Sequence, residues 1–225
     1  MLKISNACVK QFITAAHRVA AQGLVLGGSG NLSWRVSGGQ MLITTTGSCM
    51  SRMSRDTIAV CRIKNEAILN GRKPSKELGF HAGILRERAD VNVVLHCNSL
   101  WATAVACRKP PIRDFNIIPE IPYYIGAVAT VPYFTPGSDL LKQAVISAMR
   151  GHALAILRNH GQVVIGKDFD EAIARAAYFE LACHIILGTG GRVQHLSKSA
   201  VTDLRRAGTA GRSMVQFPTQ IPTTH

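Results

Sequence analysis

The chain has 225 residues, 47% of them hydrophobic and 17% charged, which suits one domain with a substantial core and excludes a disordered chain. Twenty-six Lys and Arg face 13 Asp and Glu, a formal net charge of +13 that favours anionic partners, but the basic residues are scattered and aromatics are only 6%, so no nucleic-acid site is expected. No run of 18 apolar residues occurs, so neither a transmembrane helix nor a membrane partner is expected.

The elements read in order as follows. Residues 3–22 carry helical periodicity, with Gln11, His17 and Arg18 interrupting the apolar run, which predicts an amphipathic helix and not a signal peptide. A glycine-rich turn, GLVLGGSG, spans 23–30. NLSWRV at 31–36 and QMLITTTG at 40–47 form a strand pair joined by SGG, and TIAVCRI at 57–63 is a further strand. KELGFHAGILRER at 76–88 is a helix with Ser75 at its N-cap and Pro74 ahead of it. VNVVLHC at 91–97 is an apolar strand, and residues 99–108 are a short helix. Residues 127–134 are a strand, TPGSD turns, and the helix LLKQAVISAMR follows. ALAILRN at 153–159 is an apolar strand, His160-Gly161 turns the chain back into QVVIGKD, and residues 170–191 are a long helix ending at a glycine pair. Residues 205–225 are polar and read as a loose tail or an arm onto a neighbour. The class is mixed α/β. Cys8, Cys49, Cys61, Cys97, Cys107 and Cys183 include no C-x-x-C pair and suggest no disulfide framework, so a reduced cytoplasmic compartment is expected.

Chemistry gathers at a few places. His96 closes a buried strand, and Asn98, two residues on, can share its face. Imidazole is the commonest metal ligand, and an amide oxygen suits a harder divalent ion. His160 stands at the end of a second apolar strand, and ligands gather at strand ends in α/β folds. Glu77 lies at the start of a helix whose dipole favours its charge, with His81 one turn later on the same face. Glu77 is a candidate general acid/base or a carboxylate beside a metal. GSGN at 28–31, TTTGS at 44–48 and Ser75-Lys76 offer amide and hydroxyl donors and a positive charge; together they can cradle a phosphate or carboxylate, though each is also an ordinary turn.

GSGNLS, MLITTTG, PSKE with a following His, LHCNS, PY before PGS, and RNHG, in that order over about residues 5–195, resemble the class II aldolase/adducin-head family. The resemblance implies a three-layer α/β/α sandwich around a mixed, mostly antiparallel sheet, in one domain at 1–204 with a flexible or subunit-contacting tail at 205–225, assembled as a homotetramer. It implies a divalent metal, zinc first, held by positions His96, Asn98 and His160, with Glu77 as the catalytic acid/base. It implies phosphate binding at Gly30, Asn31, Thr46, Gly47, Ser75 and Lys76. Asn98 stands where the family has a histidine, which admits manganese, cobalt or another divalent ion, and Lys76 stands where it has a serine.

The activity implied is retro-aldol cleavage of a small phosphorylated ketose through a metal-stabilised enediolate. Epimerisation, dehydration or decarboxylation at the same site, and a non-catalytic adducin-type interaction domain, are the alternatives. Tyr123, Tyr124, Tyr133 and Glu120 are candidates for a further proton carrier.

Overall fold

The computed structural model describes residues 4–210. Helix α1 (Asn6–Ala21) starts at Ser5, whose hydroxyl accepts from the Cys8 N–H, and buries Val9, Phe12, Ala16 and Val19 along one stripe. Seven strands follow in one sheet: β1 (Asn31–Val36), β2 (Gln40–Thr44), β3 (Ile58–Arg62), β4 (Val93–Cys97), β5 (Val128–Val131), β6 (Leu154–Leu157) and β7 (Gly161–Gly166). Their spatial order is β3-β2-β1-β4-β7-β6-β5, and every neighbouring pair is antiparallel except β5 with β6.

Alternation along the strands supplies two cores. Leu32, Leu42, Val93, Leu95, Cys97, Leu154, Ile156 and Val164 face α1, α3 (Leu100–Cys107) and α5 (Phe169–Gly188). Met41, Ile43, Val94, Ala155, Leu157, Val163 and Ile165 face α2 (Leu78–Glu87) and α4 (Asp139–Met149). Helices therefore cover both faces of a mixed, mostly antiparallel sheet, the three layers expected. Each fully buried large side chain, such as Phe12 or Phe179 on one face and Phe80 on the other, contributes roughly 1.5–3 kcal/mol.

Two elements depart from the expectation. Residues 198–210 form helix α6 (Lys198–Ala210), so positions 205–210 are helical; the rest of the expected tail lies outside the described residues. A single π-turn at Ile121–Ile125 receives α6, and Gly208 permits the approach, since a Cβ there would sit 2.0 Å from the Tyr123 carbonyl oxygen. No helix among the described residues is long and apolar enough to cross a membrane.

The same alternation decides where the polar residues go. Asn31 and Ser33 on β1 and His96 on β4 point to the α2 face, because Leu32, Leu95 and Cys97 point to the other. The β1–β4 register sets Asn31 opposite His96.

Candidate active site and metal centre

Helix α2 begins at Leu78, with Glu77 in the cap position and the Glu77 N–H donating to Ser75 Oγ at 3.2 Å. The Glu77 carboxylate is buried beneath the polar end of the β1–β4 pair. Its Oε2 lies 3.6 Å from His96 Nε2 and its Oε1 lies 3.7 Å from His160 Nε2. The two imidazoles meet edge to face at 4.7 Å. One donor atom from each of Glu77, His96 and His160 falls within 4.8 Å of the others, so the three residues expected to gather do gather.

The surroundings prepare these groups for a cation. His96 Nδ1 lies 2.9 Å from the Gln162 carbonyl oxygen. A carbonyl can only accept, so Nδ1 carries a proton, and the tautomer that this bond selects presents a bare Nε2 to the cluster. Gln162 is itself anchored by donating from Nε2 to Ser99 Oγ at 3.0 Å, and Ser99 donates to Glu180 Oε2 at 2.6 Å. Glu180, on α5, also accepts from the Trp101 and Ala102 N–H groups at 2.8 Å each and so caps α3. Burial, then the neighbouring His96, lowers the pKa of His160 to about 4 against the opposing pull of Glu77. At neutral pH His160 is an uncharged imidazole, the form that can ligate a metal. Glu77 Oε1 and His160 Nδ1 are buried with no hydrogen-bond partner. Two imidazoles beside a buried carboxylate with an unbonded oxygen fit a divalent ion of borderline softness, with coordination positions left for a substrate.

Asn98 takes a part that its spacing did not reveal. Its Nδ2 donates to the His160 carbonyl oxygen at 2.6 Å, tying the end of β4 to the turn that carries His160. Asn159 adopts a left-handed conformation in that turn (φ 56°), and a Cβ on Gly161 would come within 2.3 Å of the Cys97 carbonyl oxygen. His160 is thus held through its backbone.

The expected anion-binding loops lie side by side. Gly30 has φ 71°, and a Cβ there would be 2.7 Å from the His96 carbonyl oxygen. Gly28 packs against Gly47, the Thr46 N–H donates to the Lys73 carbonyl, and the Ser75 N–H donates to the Thr44 carbonyl. Thr46, Gly47 and Lys76 are exposed, while Asn31 and Ser75 are buried. A cavity of about 270 Å³ at the N-termini of α2 and α4 is lined by Ser75, Lys76 and Glu77 together with Gly137, Ser138 and Lys142.

Tyr123 and Tyr124 are elsewhere: they line a cavity of about 400 Å³ with Arg88, Arg150 and Arg175, beyond the opposite end of β4, β6 and β7. Tyr133 is exposed.

His81 is the residue whose importance sequence spacing understated. It is fully buried, its Nδ1 is 2.7 Å from Ser33 Oγ, and its Nε2 bonds to Asn31 Oδ1. Asn31 Nδ2 in turn donates to Glu77 Oε2 at 2.8 Å. Burial first, then His96, lowers the pKa of His81 to about 3.

The sequence pattern of the Class II Aldolase and Adducin N-terminal domain matches residues 10–187, and the chain belongs to that family. The chain is 31% identical over 192 residues to the 3-oxo-tetronate 4-phosphate decarboxylase of Haemophilus influenzae, covering 83% of this chain and 90% of that protein. It is 30% identical to the protein of the same name in Escherichia coli K12, over 90% of this chain and 97% of that one. It is 32% identical to the L-fuculose phosphate aldolase of Methanocaldococcus jannaschii, over 76% of this chain and 91% of that one. Among solved structures, YgbL from Klebsiella pneumoniae superposes with a TM-score of 0.83 at 26% identity, covering 90% of this chain and all of that one.

Proposed function

We propose that the chain is a divalent-metal-dependent carbon–carbon lyase that decarboxylates a phosphorylated 3-oxo sugar acid, of the type 3-oxo-tetronate 4-phosphate. The observation that carries this reading is the buried Glu77 carboxylate, with one oxygen fixed and the other open beside two imidazoles. The choice of decarboxylation is supported by the relatives of that name, which align over up to 90% of this chain.

In such a substrate the carbon bearing the carboxylate adjoins a carbonyl. Loss of carbon dioxide breaks the bond between that carbon and its carboxylate group and sends the electron pair toward the carbonyl, leaving an enediolate. His96 and His160, with Asn98 as the third expected position, would hold a divalent cation, zinc the first candidate, which when bound would supply Lewis-acid stabilisation of negative charge on the oxygen. Glu77, as the acid, gives its proton from Oε1 to the carbon that lost the carboxylate, yielding dihydroxyacetone phosphate, and is reprotonated from solvent. The loops at Gly30-Asn31, Thr46-Gly47 and Ser75-Lys76 hold the phosphate, and Lys76 brings a positive charge to the cavity that Glu77 also lines. Assembly as a homotetramer belongs to the same reading.

Aldol cleavage of a ketose 1-phosphate is the second reading, supported by the 32% identity to an L-fuculose phosphate aldolase. Chemistry joins the two: aldehyde release from such a ketose leaves the same enediolate, and Glu77 protonates the same carbon. The test is to incubate zinc-loaded protein with 3-oxo-tetronate 4-phosphate and, separately, with L-fuculose 1-phosphate. Equal amounts of carbon dioxide and dihydroxyacetone phosphate from the acid, abolished by a chelator, are expected. Turnover of the ketose alone would replace decarboxylation by aldol cleavage, and release of dihydroxyacetone phosphate from neither would sink the lyase reading.

A further inference from the structure

Four buried residues form an unbroken hydrogen-bonded line from β1 to the site: Ser33, His81, Asn31 and Glu77. The direction of every bond in it follows from donor and acceptor chemistry. The Asn31 amide nitrogen donates to the Glu77 carboxylate, so its oxygen faces His81. An amide oxygen only accepts, so His81 Nε2 carries the ring proton. The neutral ring then has a bare Nδ1, and the Ser33 hydroxyl donates to it. Glu77 Oε2 is thereby engaged as an acceptor, and Oε1, with no hydrogen-bond partner, is the oxygen left free to take and release a proton.

We infer that His81, acting through Asn31 and oriented by Ser33, is a positioning residue that confines proton exchange at Glu77 to Oε1, on the side of His160. The inference rests on Glu77 being the acid/base of the lyase. Ser33 and His81 make no bond to the anion-binding loops, whereas Glu77 meets Ser75 through its backbone N–H and Asn31 keeps one amide N–H outside these bonds. Ser33 and His81 therefore act on the rate of proton delivery and leave the holding of substrate and metal to other residues. A merely space-filling His81 has no need of a particular tautomer or of a donor at Nε2.

The discriminating variants are His81→Gln, whose terminal amide nitrogen reaches the place of Nε2, and His81→Phe, which fills the volume without a donor. In the zinc-loaded protein His81→Phe is expected to lower kcat by about 10- to 100-fold, with KM and zinc content within about twofold of wild type. His81→Gln is expected to recover kcat to within about fivefold of wild type. If the Phe variant does not fold, His81→Asn replaces it, because its amide stops one methylene short of Asn31. Equal losses in the Gln and donor-lacking variants, or kcat within threefold of wild type without the donor, would overturn the inference. A second readout needs no substrate and stands even if the lyase reading fails: nitrogen-15 spectra of the zinc-loaded wild type should show His81 protonated at Nε2 and bare at Nδ1. The reverse tautomer would break the line at Asn31 and end the proposal.

Discussion

Glu77→Gln is expected to lower kcat by about 10³-fold or more while the protein still binds metal. The substitution keeps the shape of the side chain and removes its charge and its exchangeable proton. Asn31 donates to Glu77 Oε2, so the glutamine will turn its oxygen to Asn31 and place its NH₂ where Oε1 stood. Fold and burial survive; an acid/base does not. General acid/base groups typically supply 10²- to 10⁴-fold, and here Oε1 has no neighbouring carboxyl or hydroxyl partner to take over. Steady-state turnover, with metal content measured on the same preparation, checks this. Turnover within tenfold of wild type would remove Glu77 from the proton-transfer step.

His160→Ala is expected to weaken metal binding by more than about 100-fold and to abolish turnover with it. Loss of an outer partner of a metal ligand typically costs about 10- to 100-fold, and loss of a direct donor costs more. The substitution is a clean one because the turn is held without the imidazole. Asn98 grips the backbone carbonyl of His160, Asn159 takes the left-handed conformation, and Gly161 packs on the Cys97 carbonyl. The ring is partly open to solvent, with 15% of its side-chain surface exposed, so its removal leaves little buried void. Competition with a calibrated chelator measures the change. An unchanged affinity would place the cation away from the cluster of Glu77, His96 and His160.

Much of the fold was legible because its strands alternate and its helices are capped. The reading of 31–36 matched β1, that of 57–63 came within a residue at each end of β3, and that of 170–191 overlapped α5 with its Asp168 cap one residue before Phe169. Helix α6 escaped because KSAVTDLRRAGTA is polar and carries a glycine in its last turn. Its stability comes from packing on the π-turn, which no local pattern announces. In the site, Glu77, His96 and His160 were legible as residue types at strand and helix ends. Their supports were not. Asn31 meets His96 through the β1–β4 register, and Ser33 reaches His81 across the sheet–helix interface; both contacts span more than 45 residues of chain. Spacing put Glu77 and His81 on one helix face, but only packing shows that this face is buried and that both His81 nitrogens are bonded. Asn98 read as a ligand position from its place after His96; its bond to the His160 carbonyl depends on how β4 meets the β6–β7 turn.

Turnover of 3-oxo-tetronate 4-phosphate in deuterium oxide by the zinc-loaded protein tests the proton transfer assigned to Glu77. A buried acid fixed on one side of the enediolate delivers its proton to one face only. The expected product is dihydroxyacetone phosphate carrying one deuterium on the carbon that lost the carboxylate, in a single configuration. An even mixture of the two configurations would mean that the enediolate leaves and is protonated by solvent, and would contradict the role given to Glu77.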